Sequence, residues 1–74
     1  MNRTKLFDSV ALLEDLPGQN LRRGQVGAIV EVYNNGEAFE VEFVDLEGHT
    51  YGLLTLKPNQ FIVLSREAAE KIAA

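Results

Sequence analysis

The dipeptide Asn35-Gly36 constrains the fold of this 74-residue chain more than any other feature. It lies between two runs rich in β-branched and aromatic residues, 26–33 and 38–44. A two-residue type I′ turn requires positive φ at both central positions, and asparagine and glycine tolerate that conformation. The sequence therefore predicts an antiparallel hairpin with strands over 26–33 and 38–44 and its turn at Asn35-Gly36.

The position of the turn sets a pairing register for this hairpin. The face expected to form the core carries three cross-strand pairs, Val32 with Phe39, Val30 with Val41, and Ala28 with Phe43. The other face carries Ile29, Glu31 and Tyr33 opposite Glu42, Glu40 and Ala38. The carboxylates of Glu31 and Glu40 are then expected to lie directly opposite each other, an arrangement that is destabilising in a sheet.

Three further extended runs are separated by turn residues, and they cover 9–13, 51–56 and 61–64. Gly52 is expected opposite Phe43, and residues 57–60 are expected to form one turn of 3₁₀ helix. Ser65 is a suitable N-cap for a short helix over 66–73. Together these elements predict a single all-β domain that spans residues 1–74.

The order of these elements resembles that of an SH3-like barrel, with five short strands, a long loop after the first strand and tight hairpins after the second and third. The segment 21–32, LRRGQVGAIVEV, resembles the core of small barrel domains of the KOW type. We therefore expect a small five-stranded SH3-like barrel with a short C-terminal helix.

Composition limits the functions that such a domain can have. The chain has seven Lys+Arg against eleven Asp+Glu, a net charge of −4, and no cysteine. A general nucleic-acid binder neutralises phosphates with a basic surface, so an acidic chain is not typical of one. Disulfides and cysteine-ligated zinc are excluded. No apolar run exceeds four residues, which predicts neither a signal peptide nor a membrane helix, so we expect a cytoplasmic protein.

Residue types that support catalysis or metal binding are sparse. The single histidine, His49, lies in the second hairpin turn with Asp45 and Glu47, where an exposed turn is expected and a clustered set of metal ligands is not. Gly24 and Gly27 precede a β-branched strand and not a helix, so they do not form a phosphate-binding loop. We therefore expect no catalytic residue, no metal and no cofactor.

The sheet face opposite the predicted core is the candidate binding surface. Its candidate residues are Glu31, Tyr33, Glu40, Glu42 and Tyr51, beside the apolar Ile29, Val44 and Leu53. Two interpretations remain open: residues 6–7 or the C-terminal helix cover this face, or it docks a basic partner protein or a second copy of the chain. We expect a non-catalytic protein-interaction module or accessory subunit, and antitoxin-like and immunity-like roles are both consistent with it.

Basic residues gather elsewhere and define an alternative function. Arg22 and Arg23 follow the first strand, whereas Arg3 and Lys5 precede it. The resemblance to KOW-type domains implies that this loop can contact RNA, so the alternative is an RNA- or ribosome-associated domain that uses these four residues. The acidic remainder and the lack of aromatic residues beside the arginines disfavour it. The two loop arginines are also placed to offset the acidic pair at 14–15.

Most of the chain, residues 6–64, resembles a family of small bacterial proteins known only as a domain of unknown function. The segments that carry this resemblance are Leu6-Phe7-Asp8, Val10-Ala11-Leu12, Glu14-Asp15-Leu16-Pro17, Gly24-Gln25-Val26-Gly27, Ile29-Val30-Glu31-Val32-Tyr33, Phe39-Glu40-Val41-Glu42-Phe43 and Thr50-Tyr51. The resemblance supports the barrel and implies no activity.

Overall fold

Five β-strands make up the fold in the computed structural model, which describes residues 4–64. They are β1 (Ser9–Leu12), β2 (Val26–Tyr33), β3 (Ala38–Val44), β4 (Thr50–Leu56) and β5 (Phe61–Leu64). Single 3₁₀ turns, Pro17–Gln19 and Pro58–Gln60, precede β2 and β5, and no helix within residues 4–64 is long and apolar enough to cross a membrane. The strands match the predicted ones to within one residue at each end. The predicted helix over 66–73 and the candidate residue Arg3 lie outside the described residues.

The strands form one open antiparallel sheet in the order β4-β3-β2-β1-β5. In a flat sheet β3 and β5 would be three strand spacings apart, about 14 Å. The ring of Phe39 on β3 nevertheless meets the ring of Phe61 on β5 edge to face, with centroids 5.5 Å apart. The sheet therefore curls around the residues on its concave face.

The core lies on this concave face and receives a side chain from every strand. Its buried members are Val10, Leu12, Leu21, Ile29, Phe39, Val41, Phe43, Leu56 and Phe61. Full burial of a side chain of this kind is worth about 1.5–3 kcal/mol relative to exposure. No polar or charged residue is buried in the part of the chain that the structure describes, so apolar packing holds this part together.

The register of the β2–β3 hairpin is interrupted by a β-bulge. From the turn, Tyr33 pairs with Ala38 and Glu31 with Glu40, as predicted, but the next pair is Ile29 with Val41. Val30 is left as an extra residue in β2, and it reverses the alternation of faces in the residues beyond it. Ile29 is therefore fully buried in the core and not on the opposite face. The predicted core pairs of Val30 with Val41 and Ala28 with Phe43 are wrong for the same reason.

A second bulge interrupts the pairing of β3 with β4. Gly52 lies opposite Phe43, as predicted, but Val44 pairs with Thr50, which leaves Tyr51 as the extra residue. A bulge of this kind re-aims a side chain at the edge of a sheet. The side chain of Tyr51 consequently does not follow the simple alternation of β4.

The turn between β2 and β3 begins one residue earlier than predicted. Asn34, Asn35 and Gly36 all have positive φ, at 48°, 58° and 100°. The carbonyl oxygen of Tyr33 accepts a hydrogen bond from the N–H of Gly36 at 3.0 Å. The two asparagines and the glycine thus supply the left-handed conformations that the turn requires.

Candidate functional site

Three glutamates lie together on the convex face of the sheet, where the hairpin register predicts them. Glu31 on β2 is directly opposite Glu40 on β3, and Glu42 is two residues further along β3. With their apolar neighbours they form a surface that we call the acidic face, consisting of Glu31, Tyr33, Glu40, Glu42, Val44 and Leu53. Residues at i and i+2 of a strand share a face, so the three carboxylates point to the same side.

Hydroxyl groups hold two of these carboxylates in place. Thr55 on β4 donates a hydrogen bond to Glu40 Oε1 at 2.6 Å, and Thr50 donates to Glu42 Oε2 at 2.7 Å. The hydroxyl of Tyr33 makes a longer contact of 3.5 Å with Glu40 Oε1. These donors are neutral, so they orient the carboxylates without cancelling their charge.

No cation within residues 4–64 neutralises the acidic face. In that part of the chain the salt bridges within 4.0 Å are those of His49 with Asp45 and with Glu47, in the turn after β3. Glu31, Glu40 and Glu42 therefore form no ion pair with any basic residue of this part of the chain. Since Glu31 and Glu40 are direct cross-strand neighbours, the repulsion between like charges at these positions is destabilising.

Apolar side chains are interleaved with these carboxylates. Leu53, directly opposite Glu42, is 57% exposed, and Val44 and Tyr33 are 44% and 38% exposed. The N-terminal residues that were expected as one possible cover are themselves exposed, with Phe7 at 77%. The acidic face thus combines three carboxylates with exposed apolar side chains on one side of the sheet.

The tyrosine of the acidic face is electrostatically coupled to the carboxylates. Desolvation raises the pKa of Tyr33 above its ordinary value of 10.0, and the charges of Glu40 and then Glu31 raise it further. Because the pKa is higher in the folded chain, the contribution of protonated Tyr33 to stability is full below about pH 10 and is lost as pH rises through the folded-state pKa.

A spectrophotometric titration measures this coupling. In a Tyr51→Phe background Tyr33 is the remaining tyrosine of the chain's two, and we expect its pKa to lie above 10.0. Replacing Glu40 by glutamine removes both a charge and an acceptor, so it should lower the pKa toward the ordinary value. Glu42→Gln is the matched control and should leave it unchanged. If Glu40→Gln leaves the pKa of Tyr33 unchanged, the contact between the Tyr33 hydroxyl and Glu40 would be contradicted.

Tyr51 does not belong to the acidic face, contrary to the placement predicted from strand alternation. Its ring lies 6.4 Å from the ring of the buried Phe43, centroid to centroid. Its hydroxyl accepts a hydrogen bond from Gln25 Nε2 at 2.9 Å. The bulge in β4 thus directs Tyr51 to the concave side, toward the loop that carries the arginines, and away from Tyr33.

The candidate basic residues are divided between the two ends of β1. Arg22 and Arg23 lie in the loop between β1 and β2, near the end of β1. In this loop the N–H of Gly24 donates a hydrogen bond to the carbonyl oxygen of Leu12, the last residue of β1. Lys5 instead precedes β1. Asp15 accepts a hydrogen bond from the backbone N–H of Arg23 at 2.9 Å. Neither loop arginine forms a salt bridge with a carboxylate of residues 4–64, and Glu14 accepts a hydrogen bond from Gln60, so the predicted charge pairing of these arginines with residues 14–15 is not seen.

Most of the chain matches the model of a known protein family. The model of a family with no assigned function matches residues 6–63. The chain belongs to this family, the domain of unknown function DUF4926. The match confirms the expected relationship to a family of unknown function. No curated protein and no solved structure matches the chain.

The turn after β3 of this DUF4926 chain brings its histidine close to two carboxylates. Asp45 Oδ1 accepts hydrogen bonds from the N–H groups of Glu47 and His49, both at 2.9 Å. His49 Nδ1 lies 3.6 Å from Asp45 Oδ2 and 3.7 Å from Glu47 Oε1, and all three side chains are exposed. Asp45 caps the turn through backbone hydrogen bonds, which explains its position without an ion.

Two threonines that contact the acidic face of this DUF4926 chain are not indicated by the sequence alone. Thr55 lies opposite Glu40 in the β3–β4 register, so a threonine facing a glutamate on one sheet face is a usable signal once that register is known. Thr50 reaches Glu42 only because the bulge at Tyr51 shifts the pairing. Strand alternation by itself does not show the second contact.

Proposed function

We propose that this DUF4926 chain is a non-catalytic protein-interaction module that binds a basic surface of a partner protein through its acidic face. One observation carries this proposal. Within residues 4–64 the carboxylates of Glu31, Glu40 and Glu42 lie on one sheet face and form no salt bridge with a cation, and the exposed side chain of Leu53 lies directly opposite Glu42.

Electrostatic complementarity makes a basic partner the best fit. An arginine of the partner could pair in two-pronged geometry with the opposed carboxylates of Glu31 and Glu40, which would relieve their repulsion. Burial of Leu53 and Tyr33 would add apolar contact area, and tyrosine keeps a polar tip at the rim. Charge at the rim would mainly accelerate association and select the partner.

A second copy of the chain is a poorer occupant of this face. In a two-fold symmetric dimer the same patch meets itself, so the three carboxylates of one copy would lie against the three carboxylates of the other. The partner is therefore a different protein. An antitoxin-like role, an immunity-like role and a place as an accessory subunit in a bacterial cytoplasm all agree with such a partner.

We also infer that the domain is an SH3-like barrel. The strand order β4-β3-β2-β1-β5, the 3₁₀ turn Pro58–Gln60 and the curl that brings Phe39 to Phe61 support this inference. Folds of this kind present binding surfaces for many partners, so the fold alone does not select one.

One observation favours the second candidate function, RNA binding by the basic loop. Tyr51, moved to the concave side by its bulge, lies beside this loop through Gln25, so an aromatic ring is 44% exposed near Arg22 and Arg23. Aromatic stacking combined with cationic side chains is the usual basis of binding to single-stranded nucleic acid. The net charge of −4 opposes it.

Site-specific photo-crosslinking in the native cell tests the proposed function. A benzophenone amino acid replaces Leu53 on the acidic face or, as the control position, Leu13 at the end of β1. We expect the probe at Leu53, but not at Leu13, to capture a lysine- and arginine-rich segment of one protein. Replacing both Glu40 and Glu42 by lysine should reduce that capture by about tenfold or more.

The control variant carries Glu37→Lys and Glu47→Lys, one in each hairpin turn. It changes the net charge by the same amount as lysine at positions 40 and 42, but away from the acidic face, so the capture should be unchanged. Capture that survives lysine at positions 40 and 42, or capture of an acidic segment, would refute the proposal. The RNA alternative predicts that ultraviolet light cross-links RNA to the parent protein and not to the variant with Arg22→Glu and Arg23→Glu.

A further inference from the structure

β4 is an edge strand whose only protection against pairing, among the described residues, is a bulge at one end. It is hydrogen-bonded to β3 and lies at one end of the strand order. Its seven residues, TYGLLTL, include no charged residue and no proline. Edge strands in natural proteins are usually blocked by lysine, proline, bulges or very short length. The bulge of β4 lies at Tyr51, so the stretch from Gly52 to Leu56 is regular and open.

The outer backbone of this stretch is unoccupied within the described part of the chain. In an antiparallel pair alternate residues direct their N–H and C=O groups away from the partner strand. Apart from the ladder with β3, no backbone or side-chain hydrogen bond within residues 4–64 involves a backbone group of residues 51–56. Toward the rest of residues 4–64, β4 therefore presents a row of backbone donors and acceptors that are not hydrogen-bonded.

The other edge of the sheet differs in both respects that matter here. β5 has four residues, whereas β4 has seven. The acidic face also lies beside β4 and not beside β5, because Glu40 and Glu42 are on β3, the neighbour of β4. A strand that pairs with β4 would run alongside the acidic face.

We propose that the basic partner adds an extended segment to β4 as a sixth strand of the sheet. This inference rests on the proposed function and specifies how the partner binds. Backbone hydrogen bonds to an open edge supply affinity in such complexes, and alternate side chains supply specificity. The added strand would lie about 4.8 Å from β4 and about 10 Å from β3.

The geometry selects lysine or arginine at alternate positions of the added strand. On the convex side such a side chain crosses β4 with its methylene groups over Leu53 or Thr55 and brings its charge to Glu42 or Glu40. Position 53 pairs with Glu42 and position 55 with Glu40, so two basic residues spaced by two would match both carboxylates. A second copy of β4 lacks any cation for this purpose, so it would leave the acidic face unpaired.

Amide hydrogen exchange measured by NMR tests the proposal on the full chain. The probe is a seven-residue peptide, as long as β4, that alternates lysine and threonine. We expect it to slow the exchange of alternate amides between Gly52 and Leu56 by about tenfold or more at saturation. A peptide of the same sequence with every internal amide N-methylated keeps the charge but cannot pair as a strand, and it should bind at least about tenfold more weakly.

The outcomes separate this proposal from the proposed function. Equal binding of the N-methylated peptide, without protection of β4, would overturn strand addition while leaving a basic partner on the acidic face. No binding of the lysine peptide at about 1 mM would also overturn strand addition. The cross-linking at Leu53 would then test independently whether the acidic face binds a basic partner. Protection of β4 that grows with protein concentration and needs no peptide would overturn it in favour of self-association.

Discussion

Replacing Gly27 by alanine is expected to lower the free energy of unfolding by about 1–3 kcal/mol or more, because the site has no room for a side chain. A Cβ at this position would lie 2.8 Å from the carbonyl oxygen of Glu42 and 2.9 Å from two ring carbons of Phe43. The first atom belongs to the backbone of β3, and the ring is fully buried, so neither can move without disturbing the core. Urea unfolding at an unchanged slope would measure the loss.

Gly18→Ala is the matched control for this prediction. Nothing lies within 4 Å of a Cβ at that position, so we expect a change of no more than about 0.5 kcal/mol. A double-mutant cycle with Phe43→Leu identifies the cause, since a smaller side chain at position 43 should make the alanine at 27 less costly than the sum of the single changes. Strict additivity would show that the ring of Phe43 is not what excludes a side chain at Gly27.

Ile29→Ala is expected to destabilise the protein by about 2–5 kcal/mol, whereas Val30→Ala should cost about 1 kcal/mol or less. Ile29 is 0% exposed and belongs to the core, while Val30 is the extra, half-buried residue of the bulge in β2. Thermal or urea unfolding of the two variants measures the difference. A regular hairpin would give the reverse order, because it places Val30 in the core and Ile29 outside.

The pair of substitutions contains its own control, since both remove a β-branched side chain from adjacent positions of one strand. Equal losses at the two positions would contradict the bulge and the burial pattern that follows from it. A larger loss at Val30 would indicate the uninterrupted register. Circular dichroism of each variant in water would confirm that unfolding starts from the same folded state.

The acidic face shows how far local patterns determine a candidate site. The opposition of Glu31 and Glu40 follows from the turn at residues 34–37 and holds in the structure, because the register near a hairpin turn depends on nearby residues. The third carboxylate, Glu42, follows by alternation along β3. Tyr51 could not be placed in this way, since a bulge on another strand decides which side of the sheet it occupies.

The bulge in β2 depends on contacts from another part of the chain. The N–H of Phe7 donates to the carbonyl oxygen of Ile29 at 2.7 Å, and the N–H of Ile29 donates to the carbonyl oxygen of Asp8 at 2.9 Å. These hydrogen bonds satisfy the backbone of Ile29 where the ladder with β3 is irregular. Val30 and Ile29 are both β-branched and apolar, so residue type does not distinguish which of them enters the core.

The sequence by itself determined the five strands, the β2–β3 hairpin and the gathering of three carboxylates on one face. Those features depend on β-propensity, on the conformations that asparagine and glycine tolerate, and on the two-residue period of a strand. The tertiary structure decided that Ile29 is buried, that Tyr51 lies beside the arginine loop, and that β4 is an edge strand of the sheet. Each of these depends on one extra residue in a ladder or on the order of strands in the sheet, and both are set by packing between distant segments.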